Sequence, residues 1–121
     1  GGELSRLLLA LRVALSAATP LPTLIFDEVD AGVGGAVAAA VGRRLKRLGE
    51  KIQVLVVTHS PQVAAEGHAH WKIVKDDTTG LQRTTAKELA KTERVEEIAR
   101  MLSGEMITEE ARAASLKLLE N

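Results

Sequence analysis

The sequence contains no cysteine and no tyrosine, and it has a single phenylalanine and a single tryptophan. Without cysteine the chain forms no disulfide and offers no thiolate to a metal, which is typical of proteins in a reducing cytosol. Hydrophobic residues make up 45% of the chain although aromatic residues contribute only 2%, so any core is built from leucine, valine, isoleucine and alanine. This composition favours helices packed on a parallel sheet.

Neither sign of charge is in excess, because 16 basic and 16 acidic side chains give a formal net charge of zero. Bulk electrostatics therefore give no support for a nucleic-acid or membrane partner. The apolar segment near the N-terminus is interrupted by Arg6 and Arg12, which excludes it as a signal peptide or a membrane span. At 121 residues the chain is at most one domain, or a lobe of a larger protein, and we expect it to be cytoplasmic.

A short apolar stretch that runs into three carboxylates is the most informative part of the sequence. Residues 24–26 are Leu-Ile-Phe, with Pro22 shortly before them, and they are followed by Asp27, Glu28 and, two positions later, Asp30. A continuous apolar run between proline and acids predicts a strand that is buried on both faces. Its carboxyl end, where the acids lie, is then the place for chemistry.

Adjacent carboxylates at the end of a buried strand repel each other, so they favour binding a cation or sharing a substrate proton. A magnesium nucleotide supplies both, and in phosphoryl transfer we assign Asp27 to Mg²⁺ and Glu28 to the attacking water. Residues 23–30 alone are equally compatible with an acidic pair that begins a solvated loop or caps a helix.

A second apolar run, residues 54–57, is followed closely by His59. Between the two runs, residues 36–48 carry apolar side chains at helical spacing, so we predict one right-handed βαβ unit. Parallel neighbours end at the same edge of a sheet, which should place His59 near Asp27 and Glu28. There it can donate a hydrogen bond to a terminal phosphate, whereas an isolated histidine after a strand is more often an ordinary turn residue.

Glycines precede both of the first two predicted helices. Gly1 and Gly2 precede a predicted helix that continues to Ala18 and carries a stripe of leucines. The N–H groups of the two glycines could approach an anion, or the glycines could belong to a frayed chain end. The stripe consists of Leu4, Leu7, Leu8, Leu11 and Leu15. The glycines at residues 32–35 match no phosphate-binding spacing, and a plain tight turn is favoured there.

The remaining segments are predicted to be structural. Ser60 and Pro61 should begin a short helix that ends at Gly67. Residues 70–75 and 81–87 should form a β-hairpin that carries Trp71 and Ile73 inward. Two further helices are predicted, one from Thr92 to Gly104 and one from Thr108 to Leu119, and neither shows obvious chemistry.

Basic side chains cluster at the C-terminal end of the predicted second helix. A solvated face near a helix C-terminus is the favoured interpretation, and contact with a phosphate backbone is the weaker one. The cluster consists of Arg43, Arg44, Lys46, Arg47 and Lys51.

Taken in order, these pieces resemble the C-terminal part of an ABC-type ATPase head. Gly-Gly-Glu at residues 1–3 matches the end of the signature motif, residues 23–28 match Walker B, Asp30 the D-loop and His59 the switch histidine. The continuation Asp-Glu-Val-Asp-Ala-Gly-Val-Gly-Gly at residues 27–35 and the tail at residues 94–102 are similar to the RecN family of SMC-like bacterial DNA repair ATPases. The likeness covers essentially the whole chain, although Ser60 stands where that family commonly has leucine.

The resemblance implies a fold of the α/β class. It would be the C-terminal lobe of a P-loop NTPase head, with a parallel sheet core flanked by helices, a small C-terminal β-hairpin and two terminal helices. Residues 1–121 would then be one partial head, without the Walker A lobe and the coiled coil.

The resemblance also implies hydrolysis of ATP with Mg²⁺ in double-strand-break repair. Asp27 would serve Mg²⁺, Glu28 would activate water and His59 would sense the γ-phosphate. The residues that would face ATP across a dimer of heads are Gly1, Gly2, Glu3 and Asp30. The implied partners are the missing N-terminal head lobe, a second head in a homodimer, and DNA through the intact, nucleoid-associated protein, with no membrane.

One motif that ATP hydrolysis needs is absent, because G-x-x-x-x-G-K-S/T occurs nowhere in the sequence. Without its backbone cradle and lysine for the β- and γ-phosphates, we expect no appreciable ATPase activity from these 121 residues alone. We also expect open strand edges and exposed apolar faces, so that the chain is either marginally stable or self-associating. Two alternatives stay open: a non-catalytic module that docks a partner lobe, and direct DNA binding through the basic cluster.

Overall fold

The computed structural model of the protein describes residues 2–16, 23–78 and 80–120. Gly1, the predicted end of the first helix at Ala18 and the connection at residues 19–22 lie outside these ranges. Within them the elements follow the predicted order, five helices and four strands. They are α1 (Gly2–Ser16), β1 (Thr23–Asp27), α2 (Gly35–Gly49), β2 (Gln53–Val57), α3 (Pro61–Glu66), β3 (Trp71–Asp76), β4 (Arg83–Glu88), α4 (Lys91–Ser103) and α5 (Glu109–Glu120).

The predicted parallel pairing of the two apolar runs is confirmed. β1 and β2 lie side by side in parallel, with Thr23 opposite Gln53 and Asp27 opposite Val57. Because the register has no offset, both strands end at the same edge of the sheet. The acids after β1 and the histidine after β2 therefore start from neighbouring positions.

The main core lies on one face of this sheet. Leu24 and Phe26 of β1 are buried in one cluster with the apolar stripe of α2, which is Ala38, Val41, Leu45 and Leu48. The prediction that β1 is buried on both faces is wrong, since Ile25 is 62% exposed. Alternate residues of a strand point to opposite faces, and no described element covers the second one. The expectation of an exposed apolar face is confirmed, with Leu55 and Val57 of β2 also exposed.

Helix α3 is held tightly against α2, and this contact fixes the segment that follows β2. A side chain in place of Gly42 would bring its Cβ to 3.0 Å from Glu66 Cγ and 3.2 Å from Val63 Cα, so glycine lets the two helices approach this closely without displacing α3. The predicted cap is confirmed, because Ser60 Oγ accepts a hydrogen bond from the N–H of Val63.

Strands β3 and β4 form the predicted antiparallel hairpin, which is a separate two-stranded sheet in the described part of the chain. The prediction that Trp71 and Ile73 point inward is wrong, because they are 56% and 63% exposed. The opposite face of the hairpin contacts α4 instead, where Lys72 Nζ lies 2.8 Å from Glu97 Oε2. The face of the hairpin that turns inward is thus the one that carries the ion pair with α4.

The two predicted C-terminal helices are confirmed and pack against each other. Ile98 and Ala99 of α4 are fully buried, and Ser115 of α5 donates a hydrogen bond from Oγ to the carbonyl oxygen of Val95 at 2.7 Å. Gly104 ends α4 with a φ of 83°, a left-handed conformation that glycine adopts without steric cost. None of the described helices combines the length and apolar character needed to cross a membrane.

Candidate functional site

The ends of β1 and β2 bring an acid and a histidine together. The N–H of Glu28 donates to the carbonyl oxygen of Val57 at 3.1 Å, which extends the strand pairing one residue beyond Asp27. His59 Nε2 then lies 3.9 Å from Glu28 Oε1. Their side chains are 90% and 61% exposed, respectively, so both are open to a ligand. The structure therefore places these two predicted site residues at one point of the sheet edge.

Asp27 lies immediately beside this pair as the last residue of β1. It is exposed and shares the open face of the strand with Ile25, since residues two apart point the same way. Carboxylate oxygens are the donors that Mg²⁺ prefers, and Mg²⁺ usually needs only one or two of them when phosphates supply the rest. The described residues contain no cluster of three or more potential metal ligands. Asp27 and Glu28 supply two adjacent carboxylates, the number of protein ligands that Mg²⁺ commonly uses when phosphates provide the others.

Glu28 has an unusual backbone conformation that sequence reasoning missed. Its φ is 53°, and among the described residues no other non-glycine has a positive value. This left-handed conformation costs a residue with a Cβ roughly 1–2 kcal/mol. The turn is closed by the N–H of Ala31, which donates to the carbonyl oxygen of Glu28 at 3.1 Å. Such strain is concentrated at functional sites, and no local sequence signal announces it here.

Asp30 behaves differently from the other two acids. It is only 8% exposed, and its Oδ2 accepts a hydrogen bond from the hydroxyl of Thr58. Thr58 Oγ1 in turn accepts from the N–H of Ser60 at 2.9 Å. No role was predicted for Thr58, although a hydroxyl residue directly before the histidine is a signal that could have identified it.

The glycine at the start of α1 contacts the loop that follows Glu28. A Cβ at Gly2 would collide with the carbonyl oxygen of Ala31 and approach Arg6 Nη1 to 2.7 Å. Glu3 follows in the first turn and is exposed, where an acid is favourable for the helix dipole. The structure thus brings Gly2 to this loop, with Glu3 exposed beside it in the chain, while Gly1 lies outside the described residues.

A second acid and a second histidine, Glu97 and His70, lie at the junction of the hairpin and α4, where the charge of Glu97 acts on the pKa of His70 without outweighing burial. Glu97 is 8% exposed, and its carboxylate contacts Lys72 Nζ at 2.8 Å and Arg100 Nη2 at 2.5 Å. Burial raises the pKa of Glu97, but the hydrogen bonds from Arg100 and Lys72 outweigh it and leave the pKa below its usual value. A carboxylate with both oxygens occupied by cations is structural.

His70 belongs to the same junction. Burial, and then the positive charge of Arg94, lower the pKa of His70. Its Nδ1 is buried without a hydrogen-bond partner. Arg94 itself donates from Nη2 to three carbonyl oxygens at the end of α3, those of Ala64, Ala65 and Gly67. These residues connect α3 to α4 and hold no exposed reactive group.

The predicted basic cluster borders an open groove between α2 and α3. Three bases line it together with two acids, and Lys46 Nζ lies 3.7 Å from Glu66 Oε2. The other lining residues are Arg43, Arg47 and Glu50. Because α2 runs antiparallel to the strands, its C-terminal end lies at the edge of the sheet opposite to Glu28 and His59. The groove is therefore separate from the acid–histidine site.

Comparisons with known proteins agree with this geometry. Residues 4–65 match the family model described as "AAA domain, putative AbiEii toxin, Type IV TA system". This range runs from α1 to α3 and includes both strand ends, whereas the hairpin and the last two helices lie beyond it. The matched part of the chain is the part that carries the candidate site.

The chain is also similar to DNA repair proteins named RecN. It is 52% identical to the protein of Xylella fastidiosa (strain 9a5c), 49% to that of Streptomyces coelicolor and 46% to that of Haemophilus influenzae, each over 99% of this chain. It spans only 22%, 21% and 22% of those proteins, respectively, or about a fifth of their length.

A solved structure described as "Structural biochemistry of ATP-driven dimerization and DNA stimulated activation of SMC ATPases" has the same fold. The TM-score is 0.69 at 20% sequence identity, over 88% of this chain and 63% of that one. The predicted fold class is confirmed by this likeness and by the parallel sheet with its flanking helices. The chain therefore belongs to the AAA-domain family whose model it matches over residues 4–65.

Proposed function

We propose that this chain supplies the water-activating half of an ATPase site that hydrolyses ATP to ADP and phosphate. Glu28 accepts a proton from the attacking water, and His59 donates a hydrogen bond to the γ-phosphate. The observation that carries the proposal is the 3.9 Å approach of His59 Nε2 to Glu28 Oε1 at the shared end of two parallel strands. Both side chains are exposed there, as a substrate that binds from outside requires.

The carboxylates of Asp27 and Glu28, at the carboxyl end of β1, are suited to Mg²⁺. Asp27 would hold it, directly or through water, and when bound with ATP it would neutralise charge on the phosphates. Glu28 would then act on the attacking water and not on the metal, since it lies beside His59, which would contact the γ-phosphate. Asp30 is not proposed as a metal ligand, because its carboxylate is buried and bonded to Thr58.

The start of α1 and the loop after Glu28 are proposed to face the nucleotide held by a second, identical head. Gly1, Gly2 and Glu3 would contact that nucleotide, and Asp30 would act by holding the loop in shape. What supports this is the close contact of Gly2 with the carbonyl of Ala31, which joins the helix start and the loop into one surface. Backbone N–H groups at a helix N-terminus favour an anion there.

The exposed apolar face of the β1–β2 sheet is proposed to be covered by the N-terminal lobe of the head. Ile25, Leu55 and Val57 form this face, and parallel sheets are normally covered on both sides. That lobe would bring the phosphate-binding loop, so residues 1–121 are a partial head. The complete protein would act in double-strand-break repair in the bacterial cytoplasm, in association with the nucleoid, and would contact DNA elsewhere.

The test joins this chain to the remainder of a RecN-like head and measures Mg²⁺-dependent ATP hydrolysis. Glu28→Gln should lower the rate by about 100-fold or more, the usual contribution of a general base, while leaving folding intact. Glu105→Gln is the matched control, because Glu105 is exposed in the loop after α4. The isolated chain should show no appreciable hydrolysis.

Two results would count against the proposal. If the lobes bind each other but the assembled head does not hydrolyse ATP, the chain is a non-catalytic docking module. If the isolated chain hydrolyses ATP and loses that activity on Glu28→Gln, the site is complete without a partner lobe.

A further inference from the structure

The hydroxyl of Thr58 connects two segments that sequence reasoning treated separately. It donates to Asp30 Oδ2 in the loop after β1, and it accepts at 2.9 Å from the N–H of Ser60 after β2. A threonine hydroxyl has one proton and two lone pairs, so it can make both bonds at once. His59 lies between Thr58 and Ser60 in the chain, and its backbone is therefore held from both sides.

The His59 side chain has little else to hold it. It is 90% exposed, and the ion-pair contact that places it beside Glu28 is 3.9 Å long. By contrast, Asp30 is 8% exposed, so the carboxylate that anchors the Thr58 hydroxyl is shielded from water. A hydrogen bond to a buried carboxylate is stronger than one exposed to solvent. The position of the histidine thus depends on its backbone, and the backbone depends on Thr58.

We infer that Thr58 is a positioning residue that couples the loop at Asp30 to His59. The inference rests on the proposed function, because it gives the coupling a role in ATP hydrolysis. Gly2 contacts the carbonyl oxygen of Ala31, the residue after Asp30, so the start of α1 belongs to the same connected set. A second head that displaces this loop or the start of α1 would shift Asp30, and through Thr58 it would shift His59.

The first experiment uses the assembled head. Thr58→Val removes the hydroxyl at nearly constant shape, and we expect kcat to fall by about 10-fold or more, since small misplacements of a reacting group are costly. The KM for ATP should change by less than about twofold, because binding through the other lobe is retained. Thr58→Ser restores a hydroxyl at the same place and should return kcat to within about threefold of the unmutated value.

The matched control is Thr84→Val, the same chemical change at an exposed position of β4. It should leave kcat unchanged. A Thr58→Val head that hydrolyses ATP at the unmutated rate would overturn the inference, and so would a Thr58→Ser head that is as slow as Thr58→Val.

The second experiment uses the 121-residue chain alone and needs no ATP. Backbone ¹⁵N relaxation reports the order of the His59 and Ser60 amides, and Thr58→Val should lower their order parameters from about 0.85 to below about 0.6. Thr58→Ser should preserve them, and the amide of Leu45 in α2 should not change. An unmutated head that does not hydrolyse ATP would contradict the proposed function. The order parameters test the positioning role separately, and values that do not change in Thr58→Val would contradict that role.

Discussion

The two acid–histidine pairs of this protein have the same residue types and opposite surroundings. Glu28 and His59 lie at the open end of the parallel sheet, with side chains 61% and 90% exposed. Glu97 and His70 lie where the hairpin meets α4, and Glu97 has both carboxylate oxygens occupied by Lys72 and Arg100. The first pair is open to a ligand, whereas the carboxylate of the second pair is already occupied by two cations.

This difference shows that location, and not residue type, separates a reactive acid from a structural one. The open pair is placed by strands that end together and by a loop with a left-handed residue. The closed pair is placed by cations from two elements that it holds together. Strain and exposure support the role proposed for the first pair, whereas the carboxylate of the second is buried and neutralised by Lys72 and Arg100.

The comparison is tested most strongly by making the same substitution in both pairs. Glu97→Gln should lower the free energy of unfolding by about 2 kcal/mol, because the buried negative charge is lost and one of the two oxygens that accept from Lys72 and Arg100 becomes a donor. Glu28→Gln should change it by less than about 0.5 kcal/mol, as is usual for an exposed side chain. Urea unfolding of the isolated chain measures both. Equal losses for the two variants would show that the pairs do not differ in the way described.

A glycine at position 28 should stabilise the chain, whereas the substitution at Glu97 should destabilise it. Glu28→Gly should raise the free energy of unfolding by about 0.5–1 kcal/mol, because glycine adopts the φ of 53° without steric cost. It should also remove hydrolysis from the assembled head. Asp27→Gly is the control, since glycine in a strand is destabilising. A Glu28→Gly chain that is less stable than the unmutated one would mean that the loop stores no strain.

The smallest expected effect is the pH dependence of the closed pair. Burial and Arg94 lower the pKa of His70 from its ordinary value of 6.5, so the unfolded chain binds a proton that the folded chain does not. Stability should therefore be fully present above pH 6.5 and should decline as the pH falls from there through the folded-state pKa.

Chemical unfolding between about pH 8 and pH 5.5 measures this decline, because Glu97 with its lowered pKa stays ionised over that range. In a His70→Gln chain the decline should be smaller, since the titrating group is gone. A decline of the same size in both chains would assign it to other groups.

The order and type of the elements could be predicted from local patterns in the sequence. Helical spacing identified α2 and α4, and a serine followed by proline marked the start of α3. The pairing of β1 with β2 also followed, because a strand, a helix and a strand in that order favour one parallel unit. From this pairing came the approach of His59 to Glu28, which the structure shows at 3.9 Å.

What the sequence by itself determined is thus the set of elements, the edge of the sheet at which Glu28 and His59 meet, and the family likeness. Only the tertiary structure decided that Ile25 and Trp71 face outward, that Glu28 is left-handed and that Thr58 joins Asp30 to Ser60. The physical reason is distance along the chain. The sequence of a strand is apolar whether or not another element covers both of its faces. The hydrogen bond between Thr58 and Asp30 joins residues 28 positions apart, so it forms only after the strands have paired and leaves no local sequence pattern.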